Sequence, residues 1–291
     1  MRAFVLAMAA QLTLAIPAAR AQDAAPVPVP EPASLLVGVE ARRDSLRYHF
    51  ENPSSFDTPF LVPHSFDQTY DASNVWLVAT ARYTAGVRWE TSGGLTPERT
   101  ARADDYDTFV DPGNVVFVSG TTGDALARGV LVSQAADVAR AGRLQVSLRY
   151  RFRWDRFTFL DGHKTVTRNG VLVAAGDVTS PEMTDSKVHE VLVGLRAAPS
   201  LTGAWRLAVS GEVSPATLAR LSVQLPEKYP GQDLVFFAKV FAVSARVALV
   251  RTGGRFPIEV ALHAERTFSY RSTAQLTRSA QSLALSAGRA W

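Results

Sequence analysis

From Arg143 to Trp154 the chain alternates without interruption. Leu144, Val146, Leu148, Tyr150, Phe152 and Trp154 take one parity, and Arg143, Gln145, Ser147, Arg149, Arg151 and Arg153 the other. Successive side chains of a strand point to opposite faces, so this segment predicts a strand with one apolar and one cationic face. The code recurs along the chain. Val75, Leu77, Ala79, Ala81 and Tyr83 oppose Trp76, Val78, Thr80 and Arg82, and Val87 and Trp89 oppose Arg88 and Glu90. Trp205, Leu207, Val209, Gly211 and Val213 oppose Arg206, Ala208, Ser210, Glu212 and Ser214, and the runs Phe241 to Leu249 and Ile258 to Glu265 follow the same rule.

Tight turns are expected at Thr84-Ala85-Gly86, Arg140-Ala141-Gly142, Pro199 to Gly203 and Thr252-Gly253-Gly254, each between two alternating runs. Longer polar stretches lie between them: Glu51 to Ser73, Ser92 to Gly123, Asp161 to Lys187 and Pro215 to Asp233. Short turns at one end and long loops at the other predict an all-β fold, a transmembrane antiparallel up-and-down β-barrel of about ten strands, apolar toward lipid and charged toward the lumen. After Trp154 the chemistry inverts. Phe157 and Phe159 become the apolar members while Arg156 and Thr158 take the former lipid side, so the strands are expected to rise beyond the bilayer, with an outer aromatic girdle near Phe152 and Trp154.

The termini fit that address. Residues 1–21 read as a signal peptide: Arg2, an apolar run from Ala3 to Pro17, and Ala19-Arg20-Ala21 before Gln22. Residues 22–33 read as a proline-rich periplasmic tail, leaving 34–291 for a barrel in the bacterial outer membrane. Leu283, Leu285, Ala287 and Trp291 share a parity, and a strand ending on Trp291 is expected to be recognised by the barrel-insertion machinery. Outer-membrane lipid is the expected partner, with lipopolysaccharide a candidate at outward basic residues near the rim, around a monomeric barrel.

Composition then narrows the chemistry. With 47% hydrophobic and 20% charged residues, the chain is too polar for a bundle of membrane helices, whereas a barrel needs only alternate apolar positions. The absence of cysteine excludes disulfides, thiolate metal sites and a cysteine nucleophile. A formal net charge of +4 gives no reason to expect nucleic acid. No His-x-x-x-His pair and no phosphate loop occurs, so no metal or cofactor is expected. Glu40, Glu90, Asp155, Glu212, Glu259 and Glu265 fall on the polar parities, as do Arg42, Arg82, Arg88, Arg149, Arg151, Arg153, Arg206 and Arg246. In so narrow a barrel these predict a plugged, ion-paired interior. A soluble secreted β-protein is the competing architecture.

From Glu40 onward the order of features resembles the omptins, ten-stranded outer-membrane barrels that act as endopeptidases at the extracellular rim. That resemblance implies an active site of two facing pairs, Asp-Asp and Asp-His, which activate a water. Asp105-Tyr106-Asp107 resembles the family's Asp-x-Asp pair, and carboxylates at i and i+2 of a strand point the same way. The resemblance places the Asp-x-His motif where this chain reads Pro226-Glu227-Lys228-Tyr229-Pro230-Gly231, with Pro226 at the aspartate position and Lys228 at the histidine position. A lysine of ordinary pKa is a poor base. Asp105 and Asp107 are therefore the candidate catalytic residues, with His49, His64 and His163 as rim-side candidates to complete them; His189 and His263 are assigned lower positions. The leading expectation is a non-catalytic surface structural or binding protein of omptin-like architecture. An omptin-like endopeptidase with an altered second dyad is the alternative.

Overall fold

A computed structural model describes residues 33–51, 64–110, 113–142, 144–179, 182–201, 204–224, 231, 233–251, 254–270 and 274–291. The expected signal peptide and almost all of the proline-rich tail lie outside the described residues. Eleven strands follow one another: β1 Ser34–Glu51, β2 His64–Ala85, β3 Val87–Val110, β4 Val116–Ala141, β5 Leu144–Arg168, β6 Val171–Thr179, β7 Met183–Ala197, β8 Trp205–Gln224, β9 Asp233–Arg251, β10 Ile258–Ser269 and β11 Ala274–Ala290. All but β6 close into an antiparallel ring, in which β11 returns to β1 with Ala290 opposite Ser34 and Ala274 opposite Phe50. β5 pairs with β7 from Leu144 to Thr158 and carries β6 above that level, from Asp161 to Arg168.

The predicted tight turns fall between β2 and β3, β4 and β5, β7 and β8, and β9 and β10. Gly86 (φ 74°) and Gly142 (φ 59°) hold the left-handed conformation that a residue without Cβ adopts freely. Three stretches expected as loops are instead mostly strand, Pro215 to Asp233 among them through the upper end of β8. Ser92 to Gly123 is the upper part of β3 and the start of β4, and Asp161 to Lys187 holds the end of β5, all of β6 and the start of β7. Above the girdle the outside is polar and the inside apolar. The alternation persists there, but Asp, Arg, Thr and Gly on its outer parity give it the composition of a loop.

The outer wall carries an apolar belt. It includes Leu35, Val37 and Val39 of β1, Val75 and Leu77 of β2, Leu144 to Tyr150 of β5, Val191 to Leu195 of β7, and Leu283 and Leu285 of β11. On β5 the belt runs from Leu144 to Trp154, roughly 25 Å at the usual strand rise and tilt, which is the height of a bilayer's hydrocarbon core. Above it the outer face turns to Arg43, Arg47, Asp67, Arg156, Asp185, Lys187 and Arg266.

The interior is layered. Nearest the turn end, Arg82 bridges Glu90 and Glu259, Arg149 bridges Glu90 and Glu212, and Arg246 meets Glu259, around a cavity of about 180 Å³. Above them Arg42, Arg151, Arg153 and Arg278 interleave with Asp44, Asp155, Glu190 and Glu265, all buried, and the Arg42 and Arg153 guanidiniums lie 5.6 and 5.5 Å from the Trp76 ring centre. The predicted struts are present. Asp44, Glu190 and Arg278 complete them without having been singled out in the sequence. The mouth half is closed by an apolar plug containing Leu46, Tyr48, Phe66, Tyr70, Phe157, Phe159, Leu221, Val223 and Leu276. Tyr70 and Phe157 stack at its centre, with ring centroids 4.5 Å apart.

Candidate functional site at the barrel mouth

The acidic triplet stands on β3. A register shift between Thr96 and Arg99 changes the inward parity from even to odd, and so turns Asp105 and Asp107 into the barrel and Asp104 and Tyr106 out. Asp105 and Asp107 are 7% and 3% exposed, which makes them wall residues of a closed mouth rather than a solvated loop. In register, Asp105 lies between Gln68 of β2 and Thr121 of β4, and Asp107 between Phe66 and Ser119.

A buried polar cluster sits beside Asp105. The Tyr48 hydroxyl donates to Gln68 Oε1 and lies 3.0 Å from Thr184 Oγ1, which is 3.2 Å from the Tyr70 hydroxyl. Thr184 also donates to Gln68 Oε1 at 3.3 Å, and Gln68 Nε2 donates across the barrel to Glu182 Oε2 at 3.3 Å. Burial raises both phenols above the ordinary tyrosine range, the charges of Asp105 and Glu182 push the same way, and hydrogen bonding through Thr184 only partly offsets this. The phenols stay protonated at neutral pH, and that of Tyr48 acts as a donor to Gln68. Glu182 and the Tyr48–Gln68–Tyr70–Thr184 group carry no local sequence signal; only the register joins them.

The histidine candidates sit elsewhere. His49 is on the outer face of β1, its Nδ1 2.8 Å from Asp67 Oδ2 and its Nε2 3.7 Å from Glu51. Odd positions of β1 point outward, away from Asp105. His163 lies on the outward parity of upper β5, in register with Thr122, whose hydroxyl donates to the outward Asp104 at 2.8 Å; its Nδ1 is 2.9 Å from Asp177 of β6. His64 opens β2 opposite Phe109. His189 is on the outer wall at the girdle, 2.8 Å from the Tyr150 hydroxyl, and His263 is inside but deep, beside Arg246 and Ser282 in register. None of the described histidine side chains therefore shares the inner mouth with Asp105 and Asp107. Pro226 and Lys228 lie outside the described residues.

The acid–histidine pairs that do form at this end, His49 with Asp67 and His163 with Asp177, both lie on the outside. Partial burial would raise the Asp67 carboxyl, but hydrogen bonds from Arg47 and His49 and their charges outweigh it and hold the group below the usual carboxylate range. Further round the wall Arg156 grips Asp185 through two hydrogen bonds, at 2.8 and 2.7 Å, while Trp154 Nε1 donates to the same acid at 2.9 Å. Arg128 and Arg156 lie 5.7 and 5.4 Å from the Trp154 ring. Among the described residues no group of three histidine or acidic side chains is placed to hold a metal ion.

No family model and no curated protein matches the sequence. Solved structures do. The chain is similar to the outer membrane protease OmpT from Escherichia coli, with a TM-score of 0.64 at 9% identity, over 90% of this chain and 97% of that one. The β-domain of the Bordetella autotransporter BrkA aligns over 88% of this chain and 99% of its own, at 11% identity and a TM-score of 0.39. The fold is that of an outer-membrane β-barrel, and its architecture is omptin-like.

Proposed function

We infer that the chain is an integral protein of the bacterial outer membrane, a sealed, non-catalytic barrel that presents a surface structural or binding platform outside the cell. The observation that carries this reading is the filled interior: ion pairs through the belt, then an apolar plug with Tyr48, Gln68 and Tyr70 between 0% and 1% exposed directly beside Asp105. A hollow beneath that plug, lined by Arg153, Ser186 and Arg278, measures about 10 Å³, room for about one water. The outward cations just above the belt, Arg43, Arg128, Arg156, Lys187 and Arg266, suit the phosphates of outer-membrane lipid. Purified folded protein is expected to give no single-channel conductance in planar bilayers and no cleavage of a peptide library. Hydrolysis that is lost in Asp105→Asn would overturn the non-catalytic reading.

The second reading, an omptin-like endopeptidase with an altered dyad, draws on the inward burial of both Asp105 and Asp107 and on the link from Gln68 to Glu182 on the far wall. It requires cleavage that Asp107→Ala abolishes while the heat-modifiable gel migration of a folded barrel is retained.

A further inference from the structure

Among the described residues β6 is the one strand open along the whole of one edge, since it hydrogen-bonds to β5 only while every other strand has two neighbours; the upper part of β9, Asp233 to Lys239, is also open on one side but carries Lys239. It stands above the ring, is joined to β5 through a turn with Asn169 (φ 48°) and Gly170 (φ 81°), and is exposed, with Val171, Leu172 and Val173 at 67%, 60% and 54%. A free edge is a row of backbone donors and acceptors that natural sheets blunt with lysine, proline or a cover. The β6 sequence, from Val171 to Thr179, contains neither lysine nor proline, and its single charge, Asp177, is engaged by His163. One register shift is confined to the tip beside Val173, leaving Ala174 to Thr179 regularly paired with Val166 to Asp161.

We propose that β6 is a homotypic docking strand, which pairs antiparallel with the β6 of a second copy standing in a facing membrane. The proposal rests on the outer-membrane reading above and adds a partner to it. Among protein partners an extended strand matches such an edge along its whole length, and β6 is itself an apolar strand of that kind. Centred on Ala175, the antiparallel register sets Leu172 opposite Val178, Val171 opposite Thr179 and Val173 opposite Asp177. Leu172 and Val178 then meet across the strands at two symmetric positions, and the two Asp177 carboxylates stand roughly 13 Å apart, beyond the Debye length of about 8 Å at physiological salt.

Geometry decides which second copy can fit. Antiparallel strands joined edge to edge are related by a two-fold axis along the sheet normal. In the wall of a barrel that normal is radial, so the axis lies in the plane of the membrane, and rotation about it turns the second barrel upside down. The partner therefore belongs to an apposed membrane. Ala175 pairs with Thr165, which stands roughly 25–30 Å above the girdle residue Trp154 along β5, so the two bilayers are held roughly 50–60 Å apart.

Full-length protein reconstituted into phosphatidylcholine vesicles of two colours provides the test. Two-colour clusters are expected to rise about tenfold over empty vesicles, because many weak edges act together. Ala175→Pro and Leu172→Lys are expected to return clustering to background while heat-modifiable migration is unchanged. The chain has no cysteine, so Ala175→Cys should yield a disulfide-linked pair in the clusters and Thr165→Cys, inside the hairpin, should not. Inserted wild-type protein that leaves vesicles dispersed, clustering that survives both edge variants, or capture of an extended apolar peptide without clustering would each overturn the proposal. Failure to insert into vesicles at all counts against the membrane reading instead, and is scored separately by flotation.

Discussion

At the scale of single residues, burial and the register decide what each charge is for. Arg278 donates to Asp155 Oδ2 at 2.6 Å and to Asp44 Oδ1 at 3.0 Å, with all three side chains buried. Removing one member of such a network strands the others, so Arg278→Met is expected to cost about 3–5 kcal/mol in a urea-unfolding titration, and pairing it with Asp155→Leu should recover part of that loss. Asp67 behaves differently because it lies on the outer face. Its carboxyl titrates lower in the folded chain than in the unfolded one, so its contribution is complete above about pH 4 and disappears as pH falls through the lowered folded value. Asp67→Asn should flatten that acid limb of the stability curve and lower neutral-pH stability by about 0.5–1 kcal/mol. The sequence marked Arg42, Arg151 and Arg153 as inward because apolar neighbours set their parity. It could not mark Asp44, flanked by Arg43 and Ser45, and it paired His49 with the wrong acid because a one-residue difference in parity puts a side chain on the other side of the wall.

At the scale of the strand, the wall's two zones are separable by one residue type on one face. Leu285 and Thr277 both point outward on β11, Leu285 in the belt and Thr277 above it. Leu285→Arg is expected to destabilise the folded barrel by about 2–4 kcal/mol and Thr277→Arg scarcely at all, measured as urea midpoints in lipid vesicles. Closure itself depends on two small residues at the β1–β11 seam. A Cβ at Gly38 would run into the Leu285 carbonyl oxygen and one at Gly288 into that of Leu35, both backbone atoms that cannot swing aside. Gly288→Ala should therefore reduce the folded fraction on heat-modifiability gels. The ring strands were legible because each has one face in lipid and the other in a lumen. β6 was not, because both its faces and one edge meet water, so Val171-Leu172-Val173-Ala174-Ala175 shows no alternation to read.

At the scale of the whole molecule, one tube carries two opposite solvation schemes, inside-out in the belt and ordinary above it. The plug makes the upper half behave like a water-soluble barrel, so Phe157→Ala, which empties the stack on Tyr70, is expected to cost about 3–5 kcal/mol by urea unfolding. The omptin-like outline could be read from the order of strands and turns. The state of the mouth could not, because it depends on which inner residues of β2, β3 and β7 come level, and a shift such as that between Thr96 and Arg99 leaves no trace in composition. The upper storey also constrains biogenesis. Arg47, Asp67, Arg156, Asp185 and Lys187 end up on the far side of the bilayer, and a charge costs about 2.5–3.5 kcal/mol at the centre of a lipid-exposed span. A finished barrel pushed through hydrocarbon would have to carry that whole ring across at once. Strand hairpins delivered singly through a hydrated gate would not, so the height of the mouth sets the toll for unassisted insertion.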